Sequence, residues 1–161
     1  MAADTLTLDT NLLLEYWKNQ KKRSVVERLL ELAGRGEVDL SVTARIHEDV
    51  PRPPLAERLN QLRELSIEET GSVTRLDFWD LGRDILGDDR FVAHSAELDA
   101  ELRRTGKTPP DWRDWDHVHA HYLMRRDVFL TWDERIVELA GELKARLGLR
   151  VITPEEYLAS R

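Results

Sequence analysis

The sequence predicts an α/β fold in which a central, mainly parallel sheet is flanked by helices. Short extended or apolar runs recur at Leu6-Thr7-Leu8, Val38-Asp39-Leu40-Ser41-Val42, Val128-Phe129-Leu130 and Leu149-Arg150-Val151-Ile152. Helix-period stretches separate these runs, so each strand is reached by a crossover, and crossovers give parallel strands covered on both faces. The 161 residues suit a single core, and no repeat, low-complexity tract or linker divides them.

Each element has a local reason. Alternation of Thr5 and Thr7 with Leu6 and Leu8 predicts a strand over 4–9. Helices are expected over 11–20 and 23–34, the second closed by Gly34 and Gly36. A strand over 38–42 follows, and Thr43 is placed to cap a short helix through Val50, which Pro51-Arg52-Pro53-Pro54 interrupts. Another helix is expected over 54–65. From Ser66 to Asp89 the pattern is that of an insertion-like loop with a short strand at 72–76, and the insertion-like region as a whole runs to about residue 110. It includes a helix over 91–104 and a break from Gly106 to Pro110. Asp111 or Asp114 opens a long helix to Arg126, Val128 to Thr131 forms a buried strand, and 134–147 is helical. A strand over 149–152 leads into Thr153-Pro154-Glu155-Glu156, which reads as a capped last helix.

Composition narrows the function classes. The absence of cysteine removes disulfide scaffolds, thiolate metal sites and cysteine nucleophiles, and fits a reducing cytoplasm. The start lacks a basic n-region and an apolar h-region, and no apolar run approaches the roughly 20 residues of a membrane span, so a soluble protein away from the membrane is expected. With 31 acidic against 24 basic residues the formal charge is −7, a field that repels polyanions. Divalent cations held on clustered carboxylates invert that potential locally, so nucleic acid stays a candidate partner.

The acids fall at informative places. Asp9 ends the first strand and Asp133 follows the strand at Val128–Thr131, where both would share the carboxyl rim on which open α/β sheets bind ligands. Asp116 starts Asp116-His117-Val118-His119-Ala120, with a small residue four positions on to allow close packing. Glu48 lies in the helix after the second strand, with Asp49 beside it as the alternative second acid. Clustered carboxylates raise one another's pKa unless a cation neutralises them, so convergence of these acids predicts a metal. All-oxygen ligation selects hard ions, and phosphodiester hydrolysis by in-line displacement is the reaction that such a site suits.

These residues resemble the PIN-domain ribonucleases, and in particular their VapC-like members. The likeness rests on Asp9-Thr10-Asn11, Ser41 through Glu48, Asp116 through Ala120 and Thr131-Trp132-Asp133, with Pro154-Glu155-Glu156-Tyr157-Leu158 as the closing element. It implies a PIN-like three-layer fold and Mg2+- or Mn2+-dependent cleavage of RNA, with Asp9, Glu48, Asp116 and Asp133 as catalytic metal ligands. Asn11 and Thr131 become hydrogen-bonding supports that orient carboxylates. Many small members are toxins held by an antitoxin, which makes an antitoxin protein and a homodimer expected partners besides RNA. The spacing from Thr43 to Glu48 is longer than in the familiar pattern.

Plainer roles compete at each position. Asp9 and Asp133 both stand where helix N-caps stand, Asp116 has Asp111 and Asp114 as equally acidic neighbours near a helix start, and Glu48 suits an exposed helix face. His117 and His121 form an i, i+4 pair without the intervening glutamate of zinc-protease helices, so a surface or core histidine cluster is the better reading. Lys18, Lys21, Lys22 and Arg23, and Arg103, Arg104 and Lys107, are solvated runs or phosphate contacts, and Trp112 or Trp115 could stack on a base. A catalytically silent binding or regulatory module of the same fold is the alternative reading. A small-molecule phosphatase ranks last, since no phosphate-cradling Gly-rich loop is present.

Overall fold

The structure, a computed structural model, describes residues 2–50, 57, 59–62, 64–70, 72–73, 84–85 and 88–161. Its strands are β1 (Asp4–Leu8), β2 (Val38–Thr43), β3 (Ile67–Thr70), β4 (Ser72–Val73), β5 (Asp84–Ile85), β6 (Val128–Leu130) and β7 (Val151–Ile152). Its helices are α1 (Thr10–Trp17), α2 (Arg23–Gly34), α3 (Ile46–Asp49), α4 (Asp89–Arg104), α5 (Trp112–Met124), α6 (Glu134–Val137), α7 (Ala140–Leu147) and α8 (Pro154–Ala159). Five strands form an all-parallel sheet in the order β3-β2-β1-β6-β7, while β4 and β5 pair separately.

The sheet separates two apolar clusters, and strand alternation decides which side chain joins which. Leu6, Leu8, Leu40, Val42, Val128 and Leu130 pack with Leu12, Leu13 and Trp17 of α1, Val26 and Leu29 of α2 and Tyr157 of α8. Phe129 and Val151 point the other way, to Phe91 and Leu98 of α4, Trp115 and Val118 of α5, and Ile136 and Leu143. Each fully buried leucine contributes about 1.5–3 kcal/mol, so the apolar runs that define the strands also hold the layers together.

The structure departs from the sequence reading in three places. Thr43 does not cap a helix: it is the last residue of β2, fully buried, and α3 starts at Ile46 without a side-chain cap. Residues 67–70, placed in a loop by the sequence, form the edge strand β3, whose Leu40–Ile67 register pairs it with β2. The helix expected over 134–147 is two pieces, because the chain tightens at Leu139, whose N–H donates to Ile136 O. Of the helix expected over 54–65, Glu57 is helical and Leu59–Gln61 forms a 3-10 turn; its other residues fall partly outside the described ones, as do 74–76 of the expected short strand. Asp111 is the N-cap of α5 and completes a capping box with Asp114.

Candidate active site

The carboxyl ends of β1 and β6 lie side by side, because Asp9 N–H donates to Leu130 O at 3.0 Å and extends the register that sets Leu8 against Leu130. Asp9 holds the N-cap position of α1, yet its side chain makes no capping hydrogen bond. Its Oδ2 accepts instead from Thr131 Oγ1 at 2.6 Å and from Asn11 Nδ2 at 3.0 Å. The same Thr131 hydroxyl accepts from Asp133 N–H at 2.9 Å, so one buried side chain ties together the loops that carry both acids. Burial pushes the Asp9 carboxyl above its ordinary value and Asp133 adds to this, against the pull of His117 and the Thr131 hydroxyl.

Asp133 does cap its helix, accepting from Arg135 N–H at 2.9 Å. It is also gripped by the Arg135 guanidinium, with Nε at 3.0 Å from Oδ1 and Nη2 at 2.6 Å from Oδ2. The same Nη2 donates to Asp114 Oδ2 at 2.8 Å, joining α6 to α5. Burial, with Asp111 and Asp133 nearby, pushes the Asp114 carboxyl up to about 6 despite Arg135.

A fourth acid arrives from α3. Asp49 Oδ2 accepts from Thr10 Oγ1 at 2.9 Å and lies 2.6 Å from His117 Nε2. His117, buried on α5, has its Nδ1 2.6 Å from Thr43 Oγ1, which is where the strand-end threonine finds its partner. Burial alone would lower the imidazole, but the hydrogen bond to Asp49 and the charges of Asp9 and Asp49 outweigh it and raise it. The Asp49 carboxyl is lowered: burial opposes this, and the hydrogen bond and charge of His117 overcome it. Asp9, Asp49, Asp114, Asp133 and His117 line one open pocket of about 260 Å³.

Two of the acids singled out in the sequence stand apart from that pocket lining. Between residues 114 and 116 a helix turns by roughly 200°, so Asp116 points away from Asp114. It lies 3.5 Å from Arg45 Nη1 and lines a neighbouring groove with Trp112 and Trp115. Glu48, half exposed, meets Arg45 Nη2 at 2.8 Å, while Asp49 is the member of the pair that faces the pocket. From the sequence, Asp114 counts only as an acidic neighbour of Asp116, His117 only as part of a histidine cluster and Thr10 only as a motif position, and Arg135 has no role. A signal existed for the first two, since Asp114 and His117 are three apart and share a helix face. None existed for Arg135, whose role depends on α6 meeting α5. Of the basic run, Lys22 Nζ lies 4.7 Å above the Trp132 ring, whose indole N–H donates to Glu155.

The donor set suits a hard divalent cation, because five carboxylates, those named and Asp111, and no sulfur line the pocket. Among the described residues, no three histidine, aspartate or glutamate side chains stand around one ligand position. Arg135 and His117 account for this locally, since they hold Asp133, Asp114 and Asp49 in hydrogen bonds of their own.

A parallel sheet in the order β3-β2-β1-β6-β7, helices on both faces and an aspartate directly after the first strand, beside the β6 loop, together define a PIN-like α/β fold. No family model and no curated protein matches the chain. Its fold is similar to a chain in the structure of VapBC2 from Rickettsia felis bound to a DNA fragment from their promoter, with a TM-score of 0.53 and 12% identity over 92% of this chain and 98% of that one. It is likewise similar to a chain of VapBC-1 from nontypeable Haemophilus influenzae, with a TM-score of 0.54 and 13% identity over 94% and 98% of the two chains.

Proposed function

We propose that this protein is a Mg2+- or Mn2+-dependent endoribonuclease and the toxin of a toxin-antitoxin pair. The observation that carries the nuclease reading is the convergence of Asp9, Asp49, Asp114 and Asp133, from four separate segments, on one pocket at the carboxyl edge of a parallel sheet. The toxin reading and an antitoxin partner rest on the similarity of fold to VapBC structures. Asp9, Asp133 and Asp114 would hold the ion, with Asp49, the alternative to Glu48, as the acid from α3.

A bound divalent ion lowers the pKa of a water nucleophile and neutralises the charge that develops on a phosphodiester. The protein's own contribution is orientation. Thr131 and Asn11 fix the Asp9 carboxylate, and His117 with Thr10 fixes Asp49. Lys22, in the basic run that leads into α2, would supply positive charge for an RNA backbone that the net charge of −7 would otherwise repel.

Asp9→Asn should abolish Mg2+-dependent cleavage of single-stranded RNA while the circular dichroism spectrum stays that of the wild type. Full retained cleavage would sink the assignment. A silent binding module of the same fold is the second reading, favoured by the hydrogen bonds that Arg135 and His117 already make to three of the four acids. Calorimetric titration separates the two, because a silent module takes up no Mn2+ at millimolar concentration.

A further inference from the structure

We propose that Arg135 is a built-in counter-cation of this pocket, which a divalent ion must displace from Asp114 and Asp133 before both carboxylates can serve as its ligands. The inference rests on the metal-dependent reading and adds a competitor to it. The Arg135 guanidinium meets both oxygens of Asp133, at 3.0 Å and 2.6 Å, and its Nη2 also reaches Asp114 at 2.8 Å. An arginine spanning carboxylates from two different helices does the electrostatic work of an ion: it offsets the repulsion between them and occupies the lone pairs a metal needs. Charge-assisted, forked hydrogen bonds of this kind are roughly twice as strong as neutral ones, so the competition is appreciable.

Release is sterically open. The Arg135 side chain is 40% exposed and belongs to neither apolar cluster, so it can swing into solvent without disturbing the core. The helix cap does not depend on it either, because Asp133 Oδ1 accepts from the backbone N–H of Arg135. Arg135 therefore sets the cation concentration at which the pocket loads, and a variant lacking the guanidinium keeps its fold.

The test is Mn2+ binding measured by calorimetry on the wild type, Arg135→Gln, Arg135→Lys and Arg113→Gln, with melting curves to verify folding. Arg113 is the control, since it lines the same pocket and its backbone N–H, not its side chain, meets Asp111. Arg135→Gln should bind Mn2+ about tenfold more tightly or better, Arg135→Lys should fall between it and the wild type because an ammonium cannot fork, and Arg113→Gln should change little. Equal affinity in the wild type and Arg135→Gln overturns the counter-cation and leaves the metal-dependent reading standing. An equal gain in Arg113→Gln also overturns it, since removal of any nearby charge would then suffice. Failure of every folded protein in the set to bind Mn2+ overturns both.

Discussion

At the scale of single residues, the decisive difference lies between Asp114 and Asp116, two acids on one helix with opposite surroundings. Asp114 faces Asp133 and Arg135, whereas Asp116 faces Arg45, a buried arginine stacked 4.3 Å from the Trp112 ring. Asp114→Asn should therefore lower RNA cleavage and Mn2+ affinity at least about tenfold, as loss of a ligand does. Asp116→Asn should keep both within about threefold and instead cost about 1 kcal/mol of stability, because the buried guanidinium loses a charged acceptor. Cleavage assays and melting curves on the two variants decide it, and the reverse pattern would restore Asp116 as the site acid. Folding raises the Asp114 pKa from 3.8 to about 6, so its ionised form opposes folding at neutral pH, and stability on its account is gained as the pH falls through about 6 towards 3.8. Asp114→Asn should accordingly not lower the melting temperature at neutral pH, which separates a lost ligand from a damaged fold.

At the scale of elements, the legible parts were those whose signals are local. The strand of alternating Thr5 to Leu8, the apolar Val128–Leu130 run and the capped helix after Thr153 all announce themselves within a few residues, whereas the start of α5 stayed open between Asp111 and Asp114. The edge strand β3 did not, since Ile67-Glu68-Glu69-Thr70 carries exposed glutamates and becomes a strand only through its ladder with β2, a pairing the local sequence cannot display. The rotation of α5 was equally hidden: Trp115 and Val118 dock it on the second cluster, and that packing turns Asp114 to the pocket with Asp9 and Asp133 and Asp116 to the neighbouring groove. The end of α5 supports another prediction. Arg125 takes a left-handed conformation at φ 52°, ψ 37°, with its N–H on Tyr122 O, a geometry that favours glycine. Arg125→Gly should raise stability by about 0.5–1 kcal/mol, seen as a melting temperature a few degrees higher. A lower melting temperature would mean that the arginine side chain contributes more than its backbone costs.

At the scale of the whole molecule, the two faces of the sheet are unequal, and the candidate site belongs to the more polar one. The face covered by α1 and α2 is packed with apolar side chains, most of them leucine and valine, with Trp17, Ile46, Ile67 and Tyr157 among them. On the other, Thr7, Ser41, Thr43, His117 and His121 lie buried where α5 crosses the sheet. Thr7 and Ser41 are register partners on β1 and β2, and His121 Nδ1 meets Thr7 Oγ1 at 2.8 Å. Polar groups on this face of the sheet, Thr43 among them, hold the α5 residue His117 beside Asp49, but they leave a charge-sensitive layer in the core. His121 is fully buried, and its Nε2 has no hydrogen-bond partner among the described residues. Burial, reinforced by the charge of Arg126, pushes its pKa from 6.5 down to about 3. The unfolded chain therefore binds this proton near 6.5 and the folded chain only near 3, so the contribution of His121 to stability falls as the pH drops from 6.5 towards 3. His121→Gln, which keeps a polar partner for Thr7 but does not titrate, should flatten the dependence of the denaturation midpoint on pH in that window relative to the wild type. Equilibrium urea unfolding of both proteins at several pH values measures this, and parallel acid limbs would show that the loss of stability originates elsewhere in the molecule.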